Sequence, residues 1–336
     1  MTRFGLLFMP TPPETFVPWV RMADEAGFER IGIGDSQSLY RDVYVSATLA
    51  AINTERALIG PRVTNPITRH PSVTASAIAS VDELSGGRAF LGIGTGHSAM
   101  LNIGLTPAKL STLRDYVVCV RDLLTKGEGE WRGRNSVLTW PTRSVPILIA
   151  AAGPKALELA AEVGDGVIVG CGMTQAAIDD AFERMDRGAR RSGRTVDDLD
   201  IWWYVPTNIH EDHDEAVLEV RAAVVSGAHA FFYGGVEDRH APQDLEEPLR
   251  QLVEGYVIDQ HTRPGQSQAN AELVDRIGLR DYVLDRFGIA GDPKAVVERI
   301  EELNGRGIQN FWMSMHAADK GRVVGLMRDH VMPHFT

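Results

Sequence analysis

The sequence predicts an α/β fold, a (β/α)8 TIM barrel with insertions, and three observations carry that prediction. Short apolar strands alternate with helical segments along the whole chain, the units number eight, and each strand stops at a glycine, a proline or a polar turn. Repeated βα units of this count suit a barrel of about 250 residues before insertions. The 336 residues therefore include a surplus.

Each element follows from its residues. Phe4–Phe8 reads as the first strand and Glu14–Ala26 as its helix, closed by Gly27. Arg30–Gly34 precedes the helix Val43–Ile52. Ala57–Gly60 is a short buried strand ended by Pro61, and Val63-Thr64-Asn65-Pro66 continues extended, because the residue before a proline is pushed out of the α region. Pro71 opens a helix in which Val73, Ala77, Ile78, Val81 and Leu84 recur at helical spacing until Ser85-Gly86-Gly87 stops it. Ala89–Gly94 is continuously apolar, as a parallel strand covered on both faces should be, and ends in Thr95-Gly96-His97-Ser98. Pro146–Ala150 leads to helix Pro154–Val163, Gly166–Val169 to helix Thr174–Arg191, Asp200–Val205 to helix Asp214–Ser226, and Gln309–Met313 to helix Lys320–His330. The surplus falls in a hairpin-like insert near Gly127–Thr142 and a larger insertion at about 229–290. No stretch is long or polar enough to be an interdomain linker, so residues 1–336 read as a single domain. A doubly wound dinucleotide fold fits less well. Its G-x-G-x-x-G should follow the first strand, whereas Gly92-Ile93-Gly94-Thr95-Gly96 is G-x-G-x-G deep inside the chain.

Composition narrows the function. A net charge of −11 argues against nucleic acid and anionic membrane faces as partners. Two cysteines, Cys119 and Cys171, make neither a disulfide framework nor a metal cluster and suit a reducing, cytoplasmic setting. No apolar run nears the roughly 18 residues of a membrane span, and the N-terminus enters a strand without a signal peptide. The His210-Glu211-Asp212-His213 run reads as a polar loop capping the next helix, so no metal site is expected.

Barrel enzymes build their sites at the C-terminal strand ends. Those ends are Phe8-Met9-Pro10, Gly34-Asp35-Ser36-Gln37, Val63-Thr64-Asn65, Gly94–Ser98, Ala150–Pro154, Gly170-Cys171-Gly172, Val205–Asn208 and Ser314-Met315-His316. Their glycines admit a flat or anionic ligand close to the backbone, and a helix starting at Gly153-Pro154 offers its N-terminus to an anion. No carboxylate pair of the glycosidase kind is evident there.

Three stretches carry a family resemblance: ADEAGFERIGIGD at Ala23–Asp35, GPRVTNPITRHPSVTASAIASVDELSGGRAFLGIGTGHSA at Gly60–Ala99, and AAGPKALELAAEVGDGVIV at Ala151–Val169. The chain resembles the luciferase-like superfamily of flavin and deazaflavin oxidoreductases, most of all its methylenetetrahydromethanopterin reductase-like branch. The resemblance implies a luciferase-like (β/α)8 barrel, a homodimer, and either reduced FMN or coenzyme F420 across the strand ends. It assigns cofactor contacts to Asp35, Ser36, Val63, Thr64, Asn65, Thr95, Gly96, His97, Ser98, Ala151, Gly153, Pro154, Gly170, Cys171 and Gly172, with a non-proline cis peptide at Arg62-Val63. Two departures matter. Ser36 stands where many deazaflavin-dependent alcohol dehydrogenases of the superfamily carry a histidine after the aspartate, and His97 stands where this branch commonly has an acidic or small polar residue. That makes His97 the candidate catalytic residue, for moving a proton or orienting substrate. The resulting expectation is a monooxygenase of a small organic substrate, using reduced FMN from a separate flavin reductase. The alternative is hydride transfer by coenzyme F420 without oxygen, and a non-catalytic flavin-binding protein is the reading from another class.

Overall fold

The computed structural model describes residues 1–140, 143–257, 268–315, 317 and 319–335. It divides into two compact units. One comprises Phe4–Ile168 with Glu183–Trp202, and the other Met1–Arg3, Val169–Phe182 and Trp203–Thr336.

The first unit repeats strand and helix. Its elements are β1 (Arg3–Phe8), α1 (Pro13–Glu25), β2 (Arg30–Ile33), α2 (Val43–Ile52), β3 (Leu58–Pro61), α3 (Pro71–Leu84) and β4 (Leu91–Ile93). There follow α4 (Ser98–Leu101), α5 (Leu110–Lys126), the hairpin β5 (Glu128–Trp131) and β6 (Arg134–Val137), β7 (Ile147–Ala151), α6 (Pro154–Val163) and β8 (Gly166–Val169). The strands pair in parallel and in chain order. Gly5 faces Arg30 across β1 and β2, Arg30 faces Leu58 across β2 and β3, and Leu91 faces Ile147 across β4 and β7. Bridges Ile59–Ala89 and Thr64–Ile93 link β3 to β4, and β8 lies beside β7. Parallel strands joined by crossover helices, neighbours in space as in sequence, wind as a (β/α)8 barrel does.

Two glycines allow β3 and β4 to run so close. A Cβ on Gly60 would overlap the Phe90 carbonyl, and one on Gly92 would overlap that of Pro61. Helix starts follow local chemistry as well. Asp42 accepts from the N–H groups of Tyr44 (2.8 Å) and Val45 (3.1 Å) to cap α2, and Pro71 occupies the first turn of α3. At the base of β2, the buried Arg30 pairs with Asp200 and sits against the faces of Phe90 and Trp202.

α7 (Gln175–Arg191) contributes residues to both units. The second unit continues with β9 (Asp200–Ile209), α8 (His213–Phe232), α9 (Glu246–Gly255), α10 (Gln268–Arg276), α11 (Arg280–Phe287), β10 (Ile289–Gly291), α12 (Pro293–Gly305), β11 (Asn310–Met315) and α13 (Lys320–Leu326). In it β11 pairs in parallel with β9, Phe311 opposite Trp203, and β10 pairs with β9, Ile289 opposite Thr207.

Several element boundaries shift. β9 runs to Ile209 and not Val205, because β10 supplies a partner for Thr207–Ile209 that the sequence did not announce. Pro206, Thr207 and Asn208 are thus strand residues. α8 reaches Phe232 and not Ser226, since its last turns bury His229, Phe231 and Phe232. The expected insertion at about 229–290 is largely helical where it is described. The last helix changes to a π turn at Met327–Val331 instead of running evenly to His330. The hairpin-like insert is a true hairpin, although Thr142 at its end lies outside the described residues. No helix among the described residues is long and apolar enough to cross a membrane.

Candidate functional site

In the first unit the loops after β2, β3 and β4 hold one another. Asp35, just past β2, is almost fully buried and accepts the Thr64 hydroxyl at Oδ2 (2.7 Å). The same oxygen accepts from Arg69 Nη1 at 2.6 Å, while Arg69 Nη2 reaches Asp42 at 3.0 Å. Burial by itself would push the Asp42 carboxyl up, but the Val45 N–H and the Arg69 guanidinium outweigh it and hold the group below the usual carboxylate range. Arg69 lies over the Tyr44 ring, 5.2 Å from its centroid. Its own carbonyl accepts from the Tyr116 hydroxyl (3.1 Å), which also meets Thr74 at 2.6 Å. Arg69 is thus the hub of the cluster.

Ser36 and Ser98 touch through their hydroxyls at 2.7 Å, and Gln37 Nε2 donates to the Ala99 carbonyl at 2.8 Å. The backbone of Thr64 donates to Gly92 and accepts from Gly94, both at 3.0 Å, which carries the line of strand ends to β4. The Arg62-Val63 peptide is cis, as the resemblance implied. Gly94 fits between Val63 and Ala150, and Gly96, with φ of 82°, packs against Asn65. Asp35, Ser36, Val63, Thr64, Asn65, Gly96 and Ser98 are therefore brought together in this unit. The Thr95 carbonyl accepts from Ala108 N–H at 2.9 Å. His97 precedes α4, its carbonyl accepting from the N–H groups of Met100 and Leu101, and burial lowers its imidazole pKa. Ala151, Gly153 and Pro154 lie at the end of β7, where Gly153 caps α6 with no side-chain oxygen.

In the second unit, Gly170-Cys171-Gly172 serve a structural task. The Cys171 carbonyl accepts both Nε (3.3 Å) and Nη2 (3.1 Å) of the fully buried Arg286, and the Gly172 carbonyl accepts the Trp203 indole N–H at 3.2 Å. Burial pushes the Cys171 thiol up to about 12. His210 and Asp212 behave as loop residues, Asp212 capping α8 through Asp214 N–H at 2.9 Å. His316 lies outside the described residues.

The buried polar atoms of the first unit that have no hydrogen-bond partner among the described residues include Thr11 Oγ1, Gln37 Oε1 and Asn65 Nδ2. They follow β1, β2 and β3 respectively. Buried polar atoms are normally paired, so three open ones on successive strand ends fit a ligand with its own donors and acceptors.

Residues 3–310 match the luciferase-like monooxygenase family. The chain belongs to this family. Its fold class is accordingly the luciferase-like (β/α)8 barrel with insertions, and its chemistry that of an oxidoreductase. It is 33% identical to 5,10-methylenetetrahydromethanopterin reductase of Archaeoglobus fulgidus, over 98% of this chain and 99% of that protein. It is 30% identical to the enzyme of the same name from Methanopyrus kandleri, over 99% and 98%. The solved structure of a coenzyme F420-dependent tetrahydromethanopterin reductase from Methanopyrus kandleri superposes with a TM-score of 0.78 at 26% identity, covering 100% of this chain and 99% of that one.

Arg69 is the principal residue of the cluster that sequence reasoning missed. Its signal was only its place two residues before Pro71, and nothing in the sequence joined it to a carboxylate 34 positions earlier.

Proposed function

We propose that this luciferase-like protein is a coenzyme F420-dependent oxidoreductase that moves hydride to or from an imine- or carbonyl-type carbon of a small organic substrate. One observation carries the reading: near full-length similarity, at 33% and 30% identity, to two 5,10-methylenetetrahydromethanopterin reductases. The deazaflavin alternative thereby moves ahead of reduced FMN. A reduced-FMN monooxygenase served by a separate flavin reductase is the second reading, favoured by Ser36 in place of the histidine of deazaflavin alcohol dehydrogenases.

The residues present fit a tricyclic cofactor. Glycine at 94 and 96 keeps the loop after β4 close to Val63 and Asn65, and the open polar atoms of Gln37 and Asn65 offer an acceptor and a donor. Coenzyme F420, when bound, supplies a two-electron hydride carrier. We assign Val63, Thr64 and Asn65 to the support of its ring, with Asp35 fixing Thr64 and Arg69 fixing Asp35. Ser36, Thr95, Gly96 and Ser98 are assigned to the ring's surroundings. Ala151, Gly153, Pro154 and the first turn of α6 are assigned to its anionic arm. His97, whose imidazole burial makes harder to protonate, is assigned to orienting substrate or moving a proton. We take the protein to act as one catalytic domain, with 229–290 as its insertion, in a homodimer.

Fluorescence titration with F420 and FMN, each oxidised and reduced, tests the assignment. Binding of F420 with little affinity for FMN is expected. The reverse order would replace the reading by the monooxygenase, and no binding of either would remove the cofactor assignment altogether.

A further inference from the structure

We infer that the Asn65 side-chain amide is a dedicated donor to the ligand, its Nδ2 pairing with a carbonyl oxygen of the ring supported by Val63–Asn65; this rests on the cofactor reading above.

Asn65 is 1% exposed. Its Oδ1 accepts three hydrogen bonds, from the N–H groups of Ile67 (3.0 Å) and Thr68 (2.9 Å) and from the Thr68 hydroxyl (3.2 Å). A backbone N–H can only donate, so the oxygen must face that turn and the amide cannot be flipped. Its nitrogen is thereby committed to the opposite side, where it has no partner among the described residues. The local turn does not explain an asparagine here. Aspartate, or at shorter reach serine, would accept the same N–H groups, since such turns use only the side-chain oxygen. The part of Asn65 that the turn leaves unused is a buried donor, which is costly unless something accepts from it.

Its surroundings point the same way. Thr64 is fixed through its hydroxyl to Asp35 and through its backbone to Gly92 and Gly94, so Asn65 has little freedom to turn elsewhere. Gly96 stands against it, and a Cβ there would come within 3.0 Å of the Asn65 Cβ. A donor held this firmly selects for an acceptor. The carbonyls of a flavin or deazaflavin ring supply one.

Asn65→Asp tests this directly, because it keeps an oxygen for the Oδ1 contacts and replaces the donor by a charged acceptor. Asn65→Ser, which keeps an oxygen for the turn and loses the donor, guards against a folding defect caused by the buried charge. Both would be titrated with oxidised F420 and oxidised FMN, with thermal melting to verify folding and infrared difference spectra to read the bound ring's carbonyl stretches. Expected are folded variants with affinity weaker by about tenfold or more, the scale of one lost hydrogen bond, and a bound carbonyl band shifted to higher frequency than in the wild type. Wild-type affinity and an unchanged band in a folded variant would overturn the inference while leaving the cofactor reading intact. Failure of the wild-type protein to bind either cofactor would remove both.

Discussion

Arg69 Nη1 lies 2.6 Å from Asp35 Oδ2, so a cation from the segment after β3 fixes a carboxylate at the end of β2. The Asp35 side chain is 2% exposed, and Arg69→Met would leave it buried without its countercharge. The expected cost is about 3–5 kcal/mol of folding stability. Asp35→Asn combined with Arg69→Met should recover part of that loss, since it removes the stranded charge. Urea unfolding of the two single variants and the double variant measures the coupling; a loss below about 1 kcal/mol for Arg69→Met would show that the pair is not a support of the site.

The close approach of β3 and β4 gives a second prediction. Gly60→Ala and Gly92→Ala place a methyl group against backbone carbonyls that cannot move aside, and each should cost more than about 3 kcal/mol or abolish folding. Gly133→Ala is the control. At φ of 74° with nothing near it, it should cost only about 1 kcal/mol. Equal melting temperatures for all three would contradict the packing argument.

His97 sets a pH dependence. Burial lowers its pKa, so the unfolded chain binds this proton more readily than the folded one. The sign follows: its contribution to stability is full above the ordinary histidine pKa, falls as pH drops through that value, and levels off below the lowered folded pKa. Denaturant unfolding of wild type and His97→Asn between about pH 8 and 5 should give curves that approach each other on acidification. A constant difference across that range would place the titration elsewhere.

Both cysteines are buried, and burial holds the Cys171 thiol up at about 12 and the Cys119 thiol at about 11. Thiolate is the reactive form, so iodoacetamide near pH 8 should leave the native protein unmodified and label both sites once it is unfolded. Native labelling of Cys171 at the unfolded rate would reveal local opening around Arg286.

Much of the barrel was legible because its strands are apolar runs bounded by glycine and proline, and periodicity is a local signal. Ala89–Gly94 and the Pro71 helix are the plainest cases. β10 was not legible, since Ile289-Ala290-Gly291 is too short for a period and exists as a strand only by pairing with β9. For the site, Asp35, Ser36, Val63–Asn65 and Thr95–Ser98 could be located by position at strand ends and by resemblance. Their wiring could not. The Ser36–Ser98 contact spans 62 residues and the Arg69–Asp35 pair 34, and no local pattern encodes which polar groups meet after folding. Arg286 illustrates the same limit, for its partner Cys171 lies 115 positions away.

The hairpin turns at Arg132 and Gly133, both with positive φ, and Trp131 beside that turn meets the Tyr116 ring edge-on at 5.5 Å. Tyr116 in turn holds the carbonyl of Arg69. Through that single intervening ring the hairpin insert braces the segment that carries Arg69, the partner of Asp35.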